Sequence, residues 1–170
     1  MAQKGKIILG IDPSLRGTGL GIIEAVGRNV QYVHAVTLHI RPKVRFAEAL
    51  LTIYDKIIEM VARYNVQEAS IEQPPYVKSV SVLRTLGAVY GSIITALEDQ
   101  GIPCYEFTPM EIKQSSTGYG KSEKDSVQKY IKWILSLETV PESDSADALA
   151  AALTLANNYN QLIPAKLKRL

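Results

Sequence analysis

The sequence predicts an α/β fold, a mixed five-stranded sheet flanked by helices, and two observations predict it. Short apolar runs bounded by Pro, Gly or Asn are interleaved with longer segments whose apolar residues recur at helical spacing. The first run, Ile7 to Asp12, is apolar at successive positions, the pattern of a central strand covered on both faces. With 170 residues, 46% hydrophobic and 21% charged, the chain is long enough for one substantial core. We expect a single domain over residues 1–160 and a basic, frayed tail over 161–170.

Taken in order, the loop after Asp12 supplies glycines at 17, 19 and 21, suited to a tight turn with positive φ, and Leu20 to Val26 returns as a second strand. Val30 to Ile40 forms a third. Phe46, Ala49, Leu50, Ile53, Ile57, Met60 and Val61 then recur at helical spacing, a crossover helix over residues 45–64. Such a crossover leads to a strand parallel to the first, within Val66 to Gln73 and closed by Pro74-Pro75. Residues 80–100 read as a helix with Gly87 and Gly91 four apart, where another backbone can approach, and Gly101 stops it. Ile102 to Phe107 is the fifth strand. Thr108-Pro109-Met110-Glu111 is a capping box with proline at the first helical position. A small-residue loop over 115–122, a helix over 123–135, a polar linker and an alanine-rich helix over 144–159 complete the chain.

A formal charge of +2 says little about partners, because placement of charge decides what a polyanion meets. The single cysteine, Cys104, permits no intrachain disulfide and reads as a small buried hydrophobe in a reducing compartment. Neither a signal peptide nor an apolar run of about 20 residues is recognisable, so a cytoplasmic protein without membrane attachment is expected.

Four acids carry the functional reading. Asp12 and Glu72 close apolar strands, and Asp144 and Asp147 sit three apart at the start of the last helix. A buried carboxylate is protonated, paired with a base, or held by a cation, since an unpartnered charge costs several kcal/mol. If the first and fourth strands are neighbours, Asp12 and Glu72 lie roughly 5 Å apart. Two carboxylates at about 4 Å repel by ~4 kcal/mol at an effective dielectric of 20. Taken singly, Asp144 and Asp147 are explained by the helix macrodipole and Asp12 by an ordinary strand end. Together the four make a cage for hard divalent cations, Mg²⁺ or Mn²⁺.

ILGIDPSLRGTGLGII, SIEQ, KQSSTGYGKSEKDSVQ and DSADALAAAL closely resemble the motifs of the RuvC family of Holliday-junction resolvases, in the family's order from about residue 6 to 158. The resemblance implies a ribonuclease-H-like fold, a homodimer, and Mg²⁺-dependent paired nicks placed symmetrically across a four-way DNA junction, with two ions per site. It implies Asp12, Glu72, Asp144 and Asp147 as metal-binding catalytic acids, with Lys113 and Lys124 as catalytic lysines that contact phosphate or steady the transition state, and a branch-migration motor as a candidate partner. One position departs from the family pattern. Where family members carry an aromatic three residues beyond the glutamate, this chain has Pro75, with Tyr76 one residue later as the candidate substitute for base stacking.

Arg16, Lys78, Lys113, Lys121 and Lys124 flank the motif loops and mark a candidate DNA path, whereas Lys129, Lys132 and the tail read as solvated surface. His34 and His39, in the third strand, read as structural. Two rivals remain: another nuclease of the same fold with a different substrate, and a non-catalytic junction-binding protein, which has no need of four acids that repel DNA. An actin-like ATPase needs a second phosphate loop and a longer chain.

Overall fold

The computed structural model describes residues 5–117, 124–159 and 167–170. Three antiparallel strands open the chain, β1 (Lys6–Asp12), β2 (Gly17–Val26) and β3 (Asn29–His39), followed by α1 (Phe46–Tyr64), β4 (Glu68–Glu72), α2 (Val80–Asp99) and β5 (Cys104–Phe107). The helices α3 (Pro109–Thr117), α4 (Lys124–Ile134) and α5 (Ser143–Tyr159) precede a short β6 (Lys168–Arg169). The sheet runs β3-β2-β1-β4-β5-β6, with β4 parallel to both β1 and β5.

Strand alternation divides the core in two. Leu9, Ile11, Ala69 and Ile71 pack under α1 and α2 against Ile53, Ile57, Ile93 and Leu97. On the other face Ile8, Ile23 and Phe107 meet Ile112, Ile131, Leu149 and Leu153 of α3, α4 and α5. Asn65, in the left-handed conformation at φ 53°, ends α1 and turns the chain into β4, as Gly101 does at φ 66° after α2. The capping box forms as expected: the Thr108 amide and hydroxyl both donate to Glu111 Oε2 at 2.7 Å, and the Glu111 amide donates back to Thr108 Oγ1 at 3.2 Å.

Four expectations are corrected. The sheet has six strands rather than five, because Lys168 and Arg169 pair antiparallel with Glu106 and Tyr105 instead of fraying. Gly17, Gly19 and Gly21 lie within β2, and among the described residues the glycines with positive φ are Gly27 and Gly101. Their lack of a side chain serves close packing, described below. Ser115 and Ser116 continue α3 rather than opening a loop, since Ser116 bonds back to the Ile112 carbonyl at 2.7 Å and Ser115 accepts from Asn157 at 3.2 Å; residues 118–122 of the expected loop lie outside the described residues. Finally, α2 is long and apolar enough, by length and composition, to cross a membrane, although no such segment was expected.

The carboxylate of Glu106 anchors β6. It accepts from Lys168 Nζ and from the Tyr90 hydroxyl of α2, so one side chain ties a helix, an inner strand and the last strand together. Burial pushes the Glu106 carboxyl up, but the hydrogen bonds from Lys168 and Tyr90 outweigh this and hold it below the ordinary range. Next to it on β5, burial and the nearby Glu106 charge push the Cys104 thiol up to about 12, which makes it an inert core residue. Lys168→Ala is expected to destabilise the fold by about 1 kcal/mol at pH 7, a charged hydrogen bond discounted for the exposed lysine. Since the folded carboxyl is the stronger acid, this contribution is complete above the unfolded value of about 4.3 and vanishes as pH falls through the lower folded value. Urea unfolding of the two proteins at pH 7 and at pH 3 checks it: the gap must close on acidification.

Candidate active site

The four candidate acids arrive on three elements, and the sheet register brings two of them together. In the parallel β1–β4 pair Ile11 lies opposite Ile71, so Asp12 and Glu72, the next residues, end adjacent strands at the same level. Ile11 and Ile71 face α1 and α2, which turns Asp12 and Glu72 to the face that carries α5. Both are half-buried, and both hold polar or electrostatic contacts within the chain.

Helix α5 lies across β1 and β2 closely enough that no side chain fits between them. A Cβ on Gly10 would sit 1.9 Å from the Ala148 carbonyl oxygen, and one on Gly19 would sit 1.9 Å from the Asp144 carbonyl oxygen. Gly19 pairs with Asp12 across β1 and β2, so the contact sets the first turn of α5 directly beside the end of β1. The Asp144 carboxylate reaches over the start of β2, where its Oδ2 occupies space 2.6 Å from a Cβ built on Gly17. Asp147, one turn on, lies on the side of α5 shared by Thr154 and Asn158, which line a cavity with Phe107 and α3 residues. The backbone therefore delivers all four acids to one rim of the sheet. Their side chains do not close on a point: among the described residues no three Asp, Glu, His or Cys side chains are grouped tightly enough to hold a metal ion.

A clamp absent from the sequence reading fixes the helix start. His39, at the end of β3, places its Nε2 3.0 Å from the carboxylate of Glu142, two residues before Asp144. The Glu142 carbonyl accepts from the Ala146 amide at 2.9 Å and the Ser145 hydroxyl at 3.0 Å. The Thr37 hydroxyl and the His39 ring beside it pull the Glu142 carboxyl below its ordinary range. His39 is thus distant from the motifs in sequence yet adjacent to one in space. Only the strand pairing Gly17 with His39 reveals it.

The cationic candidates divide. Arg16 donates from Nη1 to the Arg41 carbonyl at 2.7 Å and from Nη2 to the Pro42 carbonyl at 3.2 Å, so it braces the loop before α1 while remaining exposed. Lys78 is exposed in the β4–α2 loop, and Lys113 is half-buried on α3 with contacts of its own. Lys124 opens α4, but its side chain and the whole of Lys121 lie outside the described residues. Tyr76 is 90% exposed, a loop ring with its faces open to solvent. His34 is structural, as expected, stacking on Tyr64 at 5.1 Å.

Known proteins share the sequence and the fold of this chain. The family model described as crossover junction endodeoxyribonuclease RuvC matches residues 8–155. A crossover junction endodeoxyribonuclease RuvC from Cupriavidus metallidurans is 37% identical over 155 residues, 91% of this chain and 86% of its own. Thermus thermophilus RuvC superposes with a TM-score of 0.84 at 27% identity, over 96% of this chain and 99% of that one. The T. thermophilus RuvC structure in complex with Holliday junction substrate gives the same TM-score, 0.84, at 25% identity over 97% and 99% of the two chains.

The glycine contact supplies a test of how the rim is built. Gly19→Ala drives a methyl group into the α5 backbone and is expected to cost about 1–3 kcal/mol. Gly91→Ala, in open space on α2, is expected to stabilise the isolated chain by about 0.5–1 kcal/mol. Chemical denaturation of both variants measures the contrast, and equal effects would refute close packing as the reason for Gly19.

Proposed function

Because this chain belongs to the RuvC family of crossover junction endodeoxyribonucleases, we propose that it resolves four-way DNA junctions in the cytoplasm as a homodimer, by paired symmetric nicks that leave 5′-phosphate and 3′-hydroxyl ends. The chain is a hydrolase acting on phosphodiester bonds of DNA. One observation carries the finer reading: β1 and β4 end in register at Asp12 and Glu72, beside the first turn of α5.

The donor set fits hard cations. Four carboxylates offer only oxygen, and the one nearby imidazole, His39, is engaged by Glu142. Asp12, Glu72, Asp144 and Asp147 would hold two Mg²⁺ ions, with Mn²⁺ as a substitute. When bound, the ions supply positive charge against the phosphate oxygens and lower the pKa of an attacking water. The chain's own residues do the rest. Four acids at one rim repel a DNA backbone, and Lys78 and Lys113, with Lys121 and Lys124 as the resemblance implies, are the cations assigned to offset that repulsion. Tyr76, exposed just beyond Pro74 and Pro75, offers its ring to an unstacked base near the junction centre.

The subunit contact follows from α2. Val80 is 80% exposed and Leu83 53%, and with Gly87 and Gly91 they fall on one stripe of the helix. Neither glycine has a neighbour within 4 Å of an added Cβ, so a second α2 can approach along a two-fold axis. That contact also accounts for the apolar length of α2 without a membrane.

Glu72→Gln or Asp147→Asn is expected to lower junction cleavage by about 10³-fold or more. Junction binding should remain within a few-fold, because these residues bind cations rather than DNA. Cleavage of a mobile four-way junction, a linear duplex and an RNA–DNA hybrid in Mg²⁺ and in Mn²⁺ tests the assignment. Equal cutting of all three points to a broader nuclease, and tight binding without nicking points to a non-catalytic junction binder. Leu83→Glu is expected to convert the dimer to a folded monomer in sedimentation analysis; a persisting dimer removes α2 from the interface.

A further inference from the structure

Helix α4 leads out of the third motif and presents an outward stripe that the site does not use. Val127, Ile131 and Leu135 are buried against α3 and α5. Opposite them Lys129, Lys132 and Trp133 fall within about 100° of one another on the helix. Trp133 is 73% exposed, the only tryptophan in the chain. The Tyr130 ring, half-buried, stands 6.3 Å from the indole at a 48° tilt and supports it from one side. Gln128 Nε2 donates to the Pro141 carbonyl at 2.9 Å, which fixes α4 against the segment leading into α5. The stripe is therefore rigidly connected to the helix start that carries Asp144.

Trp133 puts a large aromatic surface into solvent on the same stripe as two lysines. Two lysines flanking it argue against a protein partner, since lysine is depleted in protein interfaces where tryptophan is enriched. Against a nucleic acid the same residues are complementary: ammonium groups for phosphates, and an aromatic face or edge for sugar and base. Lys132, in the last turn, offsets the negative helix end nearest Trp133.

We propose that Lys129, Lys132 and Trp133 form an outer DNA contact that holds a junction arm beyond the active site. The stripe lies on α4, the helix that leads out of the third motif, and gives the enzyme a grip away from the point of cleavage. This rests on the junction-resolving reading above.

The lone tryptophan makes the test direct. Four-way junctions with long arms, and with arms cut back to a few base pairs, are titrated into the full-length protein without divalent metal. Intrinsic emission is followed while binding is measured in parallel by mobility shift. Saturating long-arm junction is expected to change Trp133 emission by at least a third, and short-arm junction to change it far less. Lys129→Ala with Lys132→Ala should weaken long-arm binding several-fold and reduce the slope of log K against log salt by about 0.9 per lost phosphate contact. Bound junction with unchanged emission and an unchanged salt slope overturns the inference and leaves the stripe to a protein partner. Failure of any junction to bind would instead strike the functional assignment.

Discussion

The structure depends on the absence of side chains where α5 crosses the sheet. At Gly10 and Gly19 the helix backbone occupies space that a Cβ would need, so helix and strands meet main chain to main chain. Interiors are packed densely and relax little, which fixes the helix at this depth. The alanines at 146, 148, 150, 151, 152 and 156 are all buried, which is the matching requirement on the helix side. Depth translates into chemistry, because Asp144 and Asp147 leave the first turns of a helix whose distance from Asp12 has been set by glycine.

Charge is distributed so that acids away from the rim have a structural task. Glu106 joins β5, β6 and α2 through Lys168 and Tyr90. Glu68 takes Lys6 Nζ at 2.7 Å and the Tyr159 hydroxyl, while Lys6 also lies 4.3 Å over the Tyr159 ring and closes the far end of α5 onto β1 and β4. His39 and Glu142 do the equivalent work at the near end. The helix carrying two of the four acids is thus tied at both termini, with apolar backbone contact between.

Much of this was legible in the sequence, for definite reasons. β1 announces itself because a buried central strand is continuously apolar, β4 is bounded by Asn65 and by Pro74-Pro75, and the crossover helix between them forces the parallel pairing that joins Asp12 to Glu72. The capping box names the start of α3 outright. The glycines of β2 were misread because a glycine pattern alone does not distinguish a turn from a surface pressed against a helix; the discriminating fact is which atoms lie opposite. β6 was missed because two polar residues at a sheet edge leave no hydrophobic period, and it is held by one buried carboxylate that no local pattern reveals. The His39–Glu142 clamp joins residues too distant in the chain for motif spacing to connect. Tyr76 shows the reverse case, since its exposure is as expected of a DNA contact and is equally compatible with an ordinary loop ring until DNA is added.

In the function proposed above, chemistry, recognition and assembly are coupled along one short length of chain. Glu72 ends β4, Pro74 and Pro75 restrict the backbone that follows, Tyr76 and Lys78 come next, and Ser79 caps α2 by accepting from the Val82 amide at 3.4 Å. Two successive prolines limit how far Tyr76 can wander from the carboxylate at its start. If α2 meets its copy across a two-fold axis, the same rigid segment fixes the separation of the two carboxylate rims. Two nicks placed symmetrically require such a fixed separation. A stiff link between the acid and the subunit face supplies it more directly than a long flexible loop, which would allow each site to act on its own.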